Sequence, residues 1–409
     1  MNTLNPLQKK FVESDSSKII LSACPGSGKT HALAHRIKRD VELYGGGGIV
    51  CITFTEAGAK AFKERLSGMG VEISFAGTMH SYALQILNQH GHSLGYRGEV
   101  KQVSDDEVIP MIKEIMTNVG SGKDSPNKVF NIIAGKLESV TTLHCTVAKR
   151  VMSNLRSKGL ATFDMMLTDM LRLAPQLPAV EGLYLDESQD FSAVEWRIID
   201  EIWAGRKIIV GDEDQCIYEW RGADPTTLTS MKGDRMVLTE NYRSTPQIIS
   251  SANSVIKNNE NRTKKEMVSS RQENANDWPV RYLHCFDMSA ICLTIAKAAK
   301  SCKSIAVLCR YNSSFARQVT PNDLKKHFRL YPEGINITAT DEEPDPDFHI
   351  GTIHSAKGLE WDTVIVIDWN PRIVTEEERR LFYVAITRAR NKVIVIGEEM
   401  SELAKEAGL

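Results

Sequence analysis

The stretch Ala23-Cys24-Pro25-Gly26-Ser27-Gly28-Lys29-Thr30 has the residue types needed to cradle a row of phosphates. Gly26 and Gly28 let backbone N–H groups turn inward, and a helix opening at the end of the loop adds positive potential. Lys29 would reach the β- and γ-phosphates of a nucleotide, and Thr30 would offer its hydroxyl to Mg²⁺. Ala23 stands where the full G-x-x-x-x-G-K-[ST] pattern has its first glycine, but the groups that do the chemistry remain. The bland alternative is a Gly-rich strand–helix turn with a surface lysine. The apolar run before the loop and the helical pattern after it, Thr30 to Leu43, favour a nucleotide site at Pro25, Gly26, Ser27, Gly28, Lys29 and Thr30. Phosphoryl transfer also needs one acid for the metal and one for the attacking water. Leu183-Tyr184-Leu185-Asp186-Glu187 ends an apolar run in such a pair. Asp186 would hold Mg²⁺ and Glu187 would orient or deprotonate the water. An apolar strand ending in acids is common by itself and gains weight from the phosphate loop upstream.

These groups need strands that end at them and helices that follow. Short β-branched runs are expected as strands at Ile19–Ser22, Ile49–Phe54, Leu183–Leu185, Lys207–Val210, Ile305–Cys309, Thr363–Ile367 and Lys392–Ile396. Helical patterns alternate with them, which is the signature of an α/β fold with parallel sheets. From about Ser81 to Leu173 the periodicity turns mostly helical, as in Val108–Val119 and Val129–Leu137, and reads as an insertion in a first α/β unit. A second α/β unit begins near Thr239. The acidic run Asp341–Asp347 reads as an exposed linker.

Composition narrows the class. The chain has 409 residues, 42% apolar and 25% charged, with 50 Lys and Arg against 52 Asp and Glu. It is too apolar for broad disorder, and no apolar run approaches a membrane span. Bulk charge gives no hint of a polyanion partner, so a nucleic-acid track would have to be local. Eight scattered cysteines without a C-x-x-C pair, and no signal peptide, lead to the expectation of a reduced, cytoplasmic protein in a bacterial or phage-infected cell. Cys285, Cys292, Cys302 and Cys309 are spaced closely enough to raise a metal or iron–sulfur site. Three lie in or beside apolar segments, so buried packing is the expectation.

Beyond Asp186-Glu187-Ser188-Gln189-Asp190 comes Val210-Gly211-Asp212-Glu213-Asp214-Gln215-Cys216-Ile217-Tyr218-Glu219-Trp220-Arg221-Gly222-Ala223. Together these resemble the UvrD/PcrA/Rep group of superfamily 1 DNA helicases. Other motifs of that group follow in order. They are Leu4-Asn5-Pro6-Leu7-Gln8, Ile52-Thr53-Phe54-Thr55, Gly77-Thr78-Met79-His80-Ser81, Leu238-Thr239-Glu240-Asn241-Tyr242-Arg243-Ser244, the Thr352–Glu360 stretch and the Tyr383–Arg390 stretch. The resemblance implies two RecA-like P-loop cores. They would occupy 1–82 with 161–238, and 239–409, with a helical accessory insertion at 83–160.

The same resemblance assigns roles. Gln8 would read adenine, Tyr242 would stack on the base, and Glu360 would contact the ribose. Gln215 would sense the γ-phosphate, and Arg243 and Arg388 would stabilise it during transfer. Phe54, Tyr218 and Trp220 resemble residues on which single-stranded DNA bases stack, a sequence-tolerant contact. Thr55, His80, Arg221, Thr352 and His354 would touch the strand. Lys149, Arg150, Arg156 and Lys158 form a basic stretch that either lines the DNA entry or is a solvated helix face.

There are departures from the pattern. Ser188 replaces a usual aromatic and Ala57 a common lysine. Only 38 residues separate Asn312 from Gly351, where larger relatives carry a whole accessory domain. The chain stops soon after Arg390, so no appended nuclease domain is expected. The expected activity is ATP-dependent translocation on single-stranded DNA and unwinding of tailed or forked duplexes, 3′ to 5′, with ATP and Mg²⁺. Two rival readings are a motor that unwinds only with a protein partner, and an ATP-switched DNA-binding module without turnover. RNA is a further candidate substrate.

Overall fold

The structure, a computed structural model, describes residues 4–119, 125–133, 141–272, 280–285, 287–312, 319–328 and 347–409. It divides into two compact units. One gathers the chain up to His35 with Ser188–Asp190 and Val210–Leu409; the other comprises Arg36–Glu187 and Phe191–Ile209. Most of the acidic run 341–347, and the end of the expected 129–137 helix, lie outside the described residues.

In the Arg36–Glu187 unit, four parallel strands follow the order Phe75–Thr78, Ile49–Thr53, Val180–Leu185, Trp203–Gly211. Ile49–Thr53 is buried along its whole length, as expected of a parallel strand covered on both faces. A buried polar group is built into this core. The Arg36 Nε donates to Asp40 at 2.7 Å and the Tyr184 hydroxyl donates to the same carboxylate at 2.5 Å. The expected helical region contains helices Met79–His90, Asp105–Asn118, Pro126–Ile133, Thr142–Ser157 and Phe163–Leu173. Their starts are written locally: Thr78 with Ser81, Ser104 with Glu107 and Thr141 with His144 each form reciprocal caps. Arg156 departs from the sequence reading. It is neither a solvated residue nor part of an exposed basic face, because it grips Asp169 bidentately at 2.8 and 2.6 Å. Tyr96 donates to the same carboxylate at 2.9 Å. Lys149, Arg150 and Lys158 are exposed.

In the other unit, Lys18–Ala23 pairs in parallel with Asp234–Leu238. A separate five-stranded parallel sheet follows the order Val280–His284, Ala389–Gly397, Trp361–Ile367, Ile305–Cys309, Phe348–Thr352. Period-two alternation splits its side chains between two cores. Val364, Val366, Val393 and Val395 pack with Ile248, Ile249, Leu381 and Val384 of helices Pro246–Ile256 and Glu376–Ile386. Ile365, Ile367, Ile394 and Ile396 pack with Ile291, Ile295 and Leu324 on the opposite face. Cys292 and Cys309 are buried in that second core, with Cys285 and Cys302 packed against it, so the packing reading of these thiols holds.

The seven strands read from sequence are all present: Ile305–Cys309 keeps its bounds, Ile49–Phe54 ends one residue early at Thr53, and the other five are extended by two to five residues. Phe75–Thr78, Asp234–Leu238, Val280–His284 and Phe348–Thr352 were not among them. Within their units they are outer strands, shorter or more polar than the central ones, so their apolar signal is weak. No described helix is long and apolar enough to cross a membrane.

Candidate functional site

The phosphate loop leaves the Lys18–Ala23 strand and enters the Lys29–Tyr44 helix. Gly26 and Gly28 adopt positive φ, 65° and 75°, a conformation that costs glycine little. Gly26 is required for space as well. A Cβ there would lie 2.8 Å from the Arg243 Cβ and 2.9 Å from the Asn241 amide nitrogen. The Ser27 hydroxyl donates to the Cys24 carbonyl at 2.6 Å and tightens the turn. Two further bonds staple the loop from outside. The Asn241 Nδ2 donates to the Pro25 carbonyl at 2.7 Å, and the Tyr242 N–H donates to the Gly26 carbonyl at 3.0 Å. Lys29 and Thr30 are half-buried in the first turn of the helix.

Gln8 sits in the helix Pro6–Glu13, capped reciprocally with Asn5. Its Nε2 donates to the Ser27 carbonyl at 2.8 Å, and its Oε1 accepts from the Asn5 N–H at 3.0 Å. The glutamine is thus fastened to the phosphate loop itself. Tyr242 is half exposed. Its hydroxyl donates to Glu240 at 2.5 Å and accepts from the Asn5 Nδ2 at 2.7 Å, which fixes the ring while leaving a face to solvent.

Gln215 is buried, and both ends of its amide are used. Its Nε2 donates to Asp212 at 2.6 Å and its Oε1 accepts from the Arg388 Nη2 at 2.8 Å. Arg388 also donates through Nε to the Val384 carbonyl at 3.0 Å. Arg243 pairs with Glu360 and donates to the Thr387 carbonyl at 3.1 Å. Arg390 holds the same carboxylate at 2.6 Å. Burial alone would raise the Glu360 carboxyl, but Arg243 and then Arg390 outweigh it and hold it below its ordinary value. The sequence reading missed Arg271. It donates to the Arg243 carbonyl at 2.7 Å and the Arg390 carbonyl at 2.6 Å, bracing the backbone that carries both arginines.

Lys265 was also missed. Its side chain is 1% exposed and touches Asp212 at 2.8 Å, Glu213 at 2.7 Å and Asp214 at 3.4 Å, and it donates to the Ser22 hydroxyl at 2.7 Å. Arg262 grips Asp214 at 2.8 and 2.7 Å. Burial would raise the Glu213 carboxyl, yet Lys265 brings it down to about 2. The Gln215 loop therefore rests on a buried ionic cluster tied to the strand that feeds the phosphate loop.

Tyr218, Trp220 and His354 form an aromatic triangle, with centroid separations of 6.3, 5.7 and 6.4 Å. Trp220 is 70% exposed. The His354 ring contacts the Ile217 carbonyl at 3.1 Å, and the Tyr218 hydroxyl donates to the His354 carbonyl at 3.3 Å. The Arg221 guanidinium lies 5.9 Å from the Trp220 ring centroid. Thr352 ends the Phe348–Thr352 strand, and its hydroxyl accepts from the Ser355 N–H at 3.3 Å. Lys357 joins this group to the preceding motif, reaching Asp190 at 2.5 Å and the Gln215 carbonyl at 2.6 Å.

Asp186, Glu187, Phe54, Thr55 and His80 belong to the Arg36–Glu187 unit. The Asp186 N–H donates to the Ile52 carbonyl at 2.8 Å, placing it at the end of its strand. Its Oδ1 accepts from the Glu187 N–H at 3.0 Å. Among the described residues Glu187 is the one non-glycine with positive φ, 52°. Phe54 is half-buried, and Thr55 caps the Glu56–Gly68 helix. His80 meets the half-exposed Phe163 edge-on at 4.7 Å. Ser188, in the other unit, is buried and donates to the Val210 carbonyl at 2.8 Å. Ala57 is exposed.

Comparison with known proteins gives the family. The UvrD/REP helicase N-terminal domain matches residues 4–235. The UvrD-like helicase C-terminal domain matches 236–328 and 334–399. The ATP-dependent DNA helicase PcrA of Bacillus subtilis (strain 168) is 28% identical over 312 residues, covering 67% of this chain and 42% of that protein. The PcrA of Staphylococcus aureus (strain Mu50) is 29% identical over 304 residues, covering 65% and 41%. The matched region thus spans about two-fifths of the length of these relatives. With both family domains covering nearly all of the sequence, and parallel α/β sheets of the RecA-like kind beneath them, the chain belongs to the UvrD/REP helicase family.

Proposed function

We propose that this chain is an ATP-dependent single-stranded DNA translocase and DNA helicase, moving 3′ to 5′ and hydrolysing ATP to ADP and phosphate. The observation that carries the reading is the stapling of the phosphate loop by Asn241 and Tyr242, which sets Arg243 against Gly26. An arginine from the C-terminal family domain thereby lies beside the loop that would hold the β- and γ-phosphates. Arg243 and Arg388 would neutralise charge that develops on the γ-phosphoryl group, a contribution of about 10³–10⁵ in rate. Gln215 would report phosphate occupancy through its bond to Arg388. Tyr242 would offer its exposed ring to adenine, Gln8 would read adenine while bracing the loop through Ser27, and Glu360 would meet the ribose.

Mg²⁺ is the metal that the family resemblance implies, and each unit offers a side chain of the kind it takes. The Thr30 hydroxyl and the Asp186 carboxylate are hard oxygen ligands, and Asp186 is already oriented by the Glu187 N–H. When bound, Mg²⁺ would offset negative charge on the β- and γ-phosphate oxygens. Glu187 would take the proton of the attacking water. Bases of single-stranded DNA would stack on Trp220, with Tyr218 and Phe54 contributing, and Thr55, His80, Arg221, Thr352 and His354 would contact the strand.

The test is phosphate release by the purified chain with and without single-stranded DNA, followed by unwinding of 3′-tailed, 5′-tailed and forked duplexes. DNA stimulation that is lost in Lys29→Ala, with 3′-tailed duplex preferred, supports the reading. Absence of stimulation overturns it. The short Asn312–Gly351 interval favours a second reading, in which a protein partner supplies an accessory function and the chain alone unwinds poorly. Efficient streptavidin displacement from biotinylated strands together with weak strand separation would favour it.

A further inference from the structure

Glu219 lies between Tyr218 and Trp220, in the single turn Glu219–Arg221. A carboxylate there would repel a DNA phosphate unless it were neutralised. It is neutralised from within the protein. Arg380, whose side chain is 4% exposed, ion-pairs with Glu219 and reaches Glu376 at 3.4 Å. The Arg380 Nε has no partner among the described residues, so Glu219 is the carboxylate that chiefly satisfies this buried cation.

Arg380 stands on the Glu376–Ile386 helix, which runs directly into Thr387 and Arg388. Arg388 donates to Gln215, four residues before Glu219. The helix, through Arg380, and the turn that closes it, through Arg388, thus each grip the Gln215–Trp220 segment. From Arg380 to the helix end at Ile386 the rise is about 9 Å at 1.5 Å per residue, and the Arg388 Nε donates back to the Val384 carbonyl in the last turn at 3.0 Å. A helix is stiff over that length, and the bond to Val384 fastens Arg388 to its last turn, so a shift sensed at one grip is delivered at the other.

We propose that the Arg380–Glu219 pair is the link through which the Glu376–Ile386 helix transmits nucleotide occupancy, read at Gln215 and Arg388, to the position of the Trp220 stacking platform. Both are positioning residues, and the inference rests on the helicase reading above. The pair has no part in holding phosphate or base. Its loss therefore uncouples the two sites rather than emptying either.

The experiment measures the affinity of the full chain for a fluorescent dT oligonucleotide, with and without a non-hydrolysable ATP analogue. It compares wild type, Glu219→Gln, Arg380→Met and the double variant, with thermal melts as a folding control. In wild type the analogue is expected to change dT affinity by at least about fivefold. In each single variant that change falls below roughly twofold, while DNA-free hydrolysis stays near the wild-type rate. The double variant loses no more than either single, because both cut one link. A single variant that keeps the wild-type change, or losses that add, overturns the inference. Should Arg380→Met fail to fold, Glu219→Gln decides alone, since its side chain is one-third exposed. A wild type that does not bind dT overturns the helicase reading together with this one; a wild type that binds dT with no analogue effect, or whose variants keep the full effect, overturns this one alone.

Discussion

The Arg388 guanidinium donates to the Gln215 amide oxygen at 2.8 Å, across 173 positions of sequence. The other end of that amide is bound to Asp212. Any movement of Arg388 toward a phosphate must therefore pull on, or release, the Gln215 loop.

Arg388→Ala should cut DNA-stimulated kcat by about 10³-fold or more, with the KM for ATP changed far less. Arg388→Lys should recover little, because an ammonium lacks the planar fork that serves Gln215 and Val384 together. Steady-state phosphate release checks both. A loss under tenfold in Arg388→Ala would remove Arg388 from the proposed transfer machinery.

Trp220→Ala should weaken the DNA dependence of hydrolysis more than DNA-free hydrolysis. Loss of one stacking partner is worth about 1–3 kcal/mol, which raises the half-saturating dT concentration by roughly 5- to 150-fold. An unchanged titration would place the stacking surface elsewhere.

Lys265→Met should destabilise the fold by about 3–5 kcal/mol, since removal of one buried partner strands the rest. Asp212, Glu213 and Asp214 would then face one another with Arg262 as the remaining cation that the structure pairs with them. Urea denaturation gives the value. A midpoint equal to that of wild type would show that water or a rearranged side chain replaces the lysine.

Burial, and then the charge of Arg310, depress the His354 pKa below its ordinary 6.5. The unfolded chain takes up this proton at higher pH than the native state does. Stability from neutral His354 is therefore present above about pH 6.5 and is lost as the pH falls toward the lower native value. The melting temperature should drop more between pH 7.5 and 5.5 in wild type than in His354→Gln. Equal drops in the two proteins would assign the pH dependence to other groups.

What was legible in the sequence was local. The phosphate loop, Asp186-Glu187 and the central strands announce themselves through spacing and apolar runs within about ten residues. Lys265 does not. It stands in the polar run Asn258–Glu266, which reads as solvated, and becomes a buried hub only when folding delivers three acids from residues 212–214. Arg156 misleads for the same reason, because its partner Asp169 lies on the next long helix. Arg271 braces carbonyls, and carbonyls leave no mark in a sequence. The outer strands were obscured by their mixed polarity, and Gln8 by a role the fold adds, its grip on Ser27.

The left-handed backbone of Glu187 has a practical consequence. For a non-glycine residue this conformation costs on the order of 1–2 kcal/mol, and Glu187→Gly would recover part of it. On the proposed reading the same change removes the group that activates water. Robustness and turnover thus pull this one position in opposite directions. A directed-evolution campaign scored on heat tolerance alone would be drawn toward hardy, inert variants at residue 187, so it would need an activity gate from its first round.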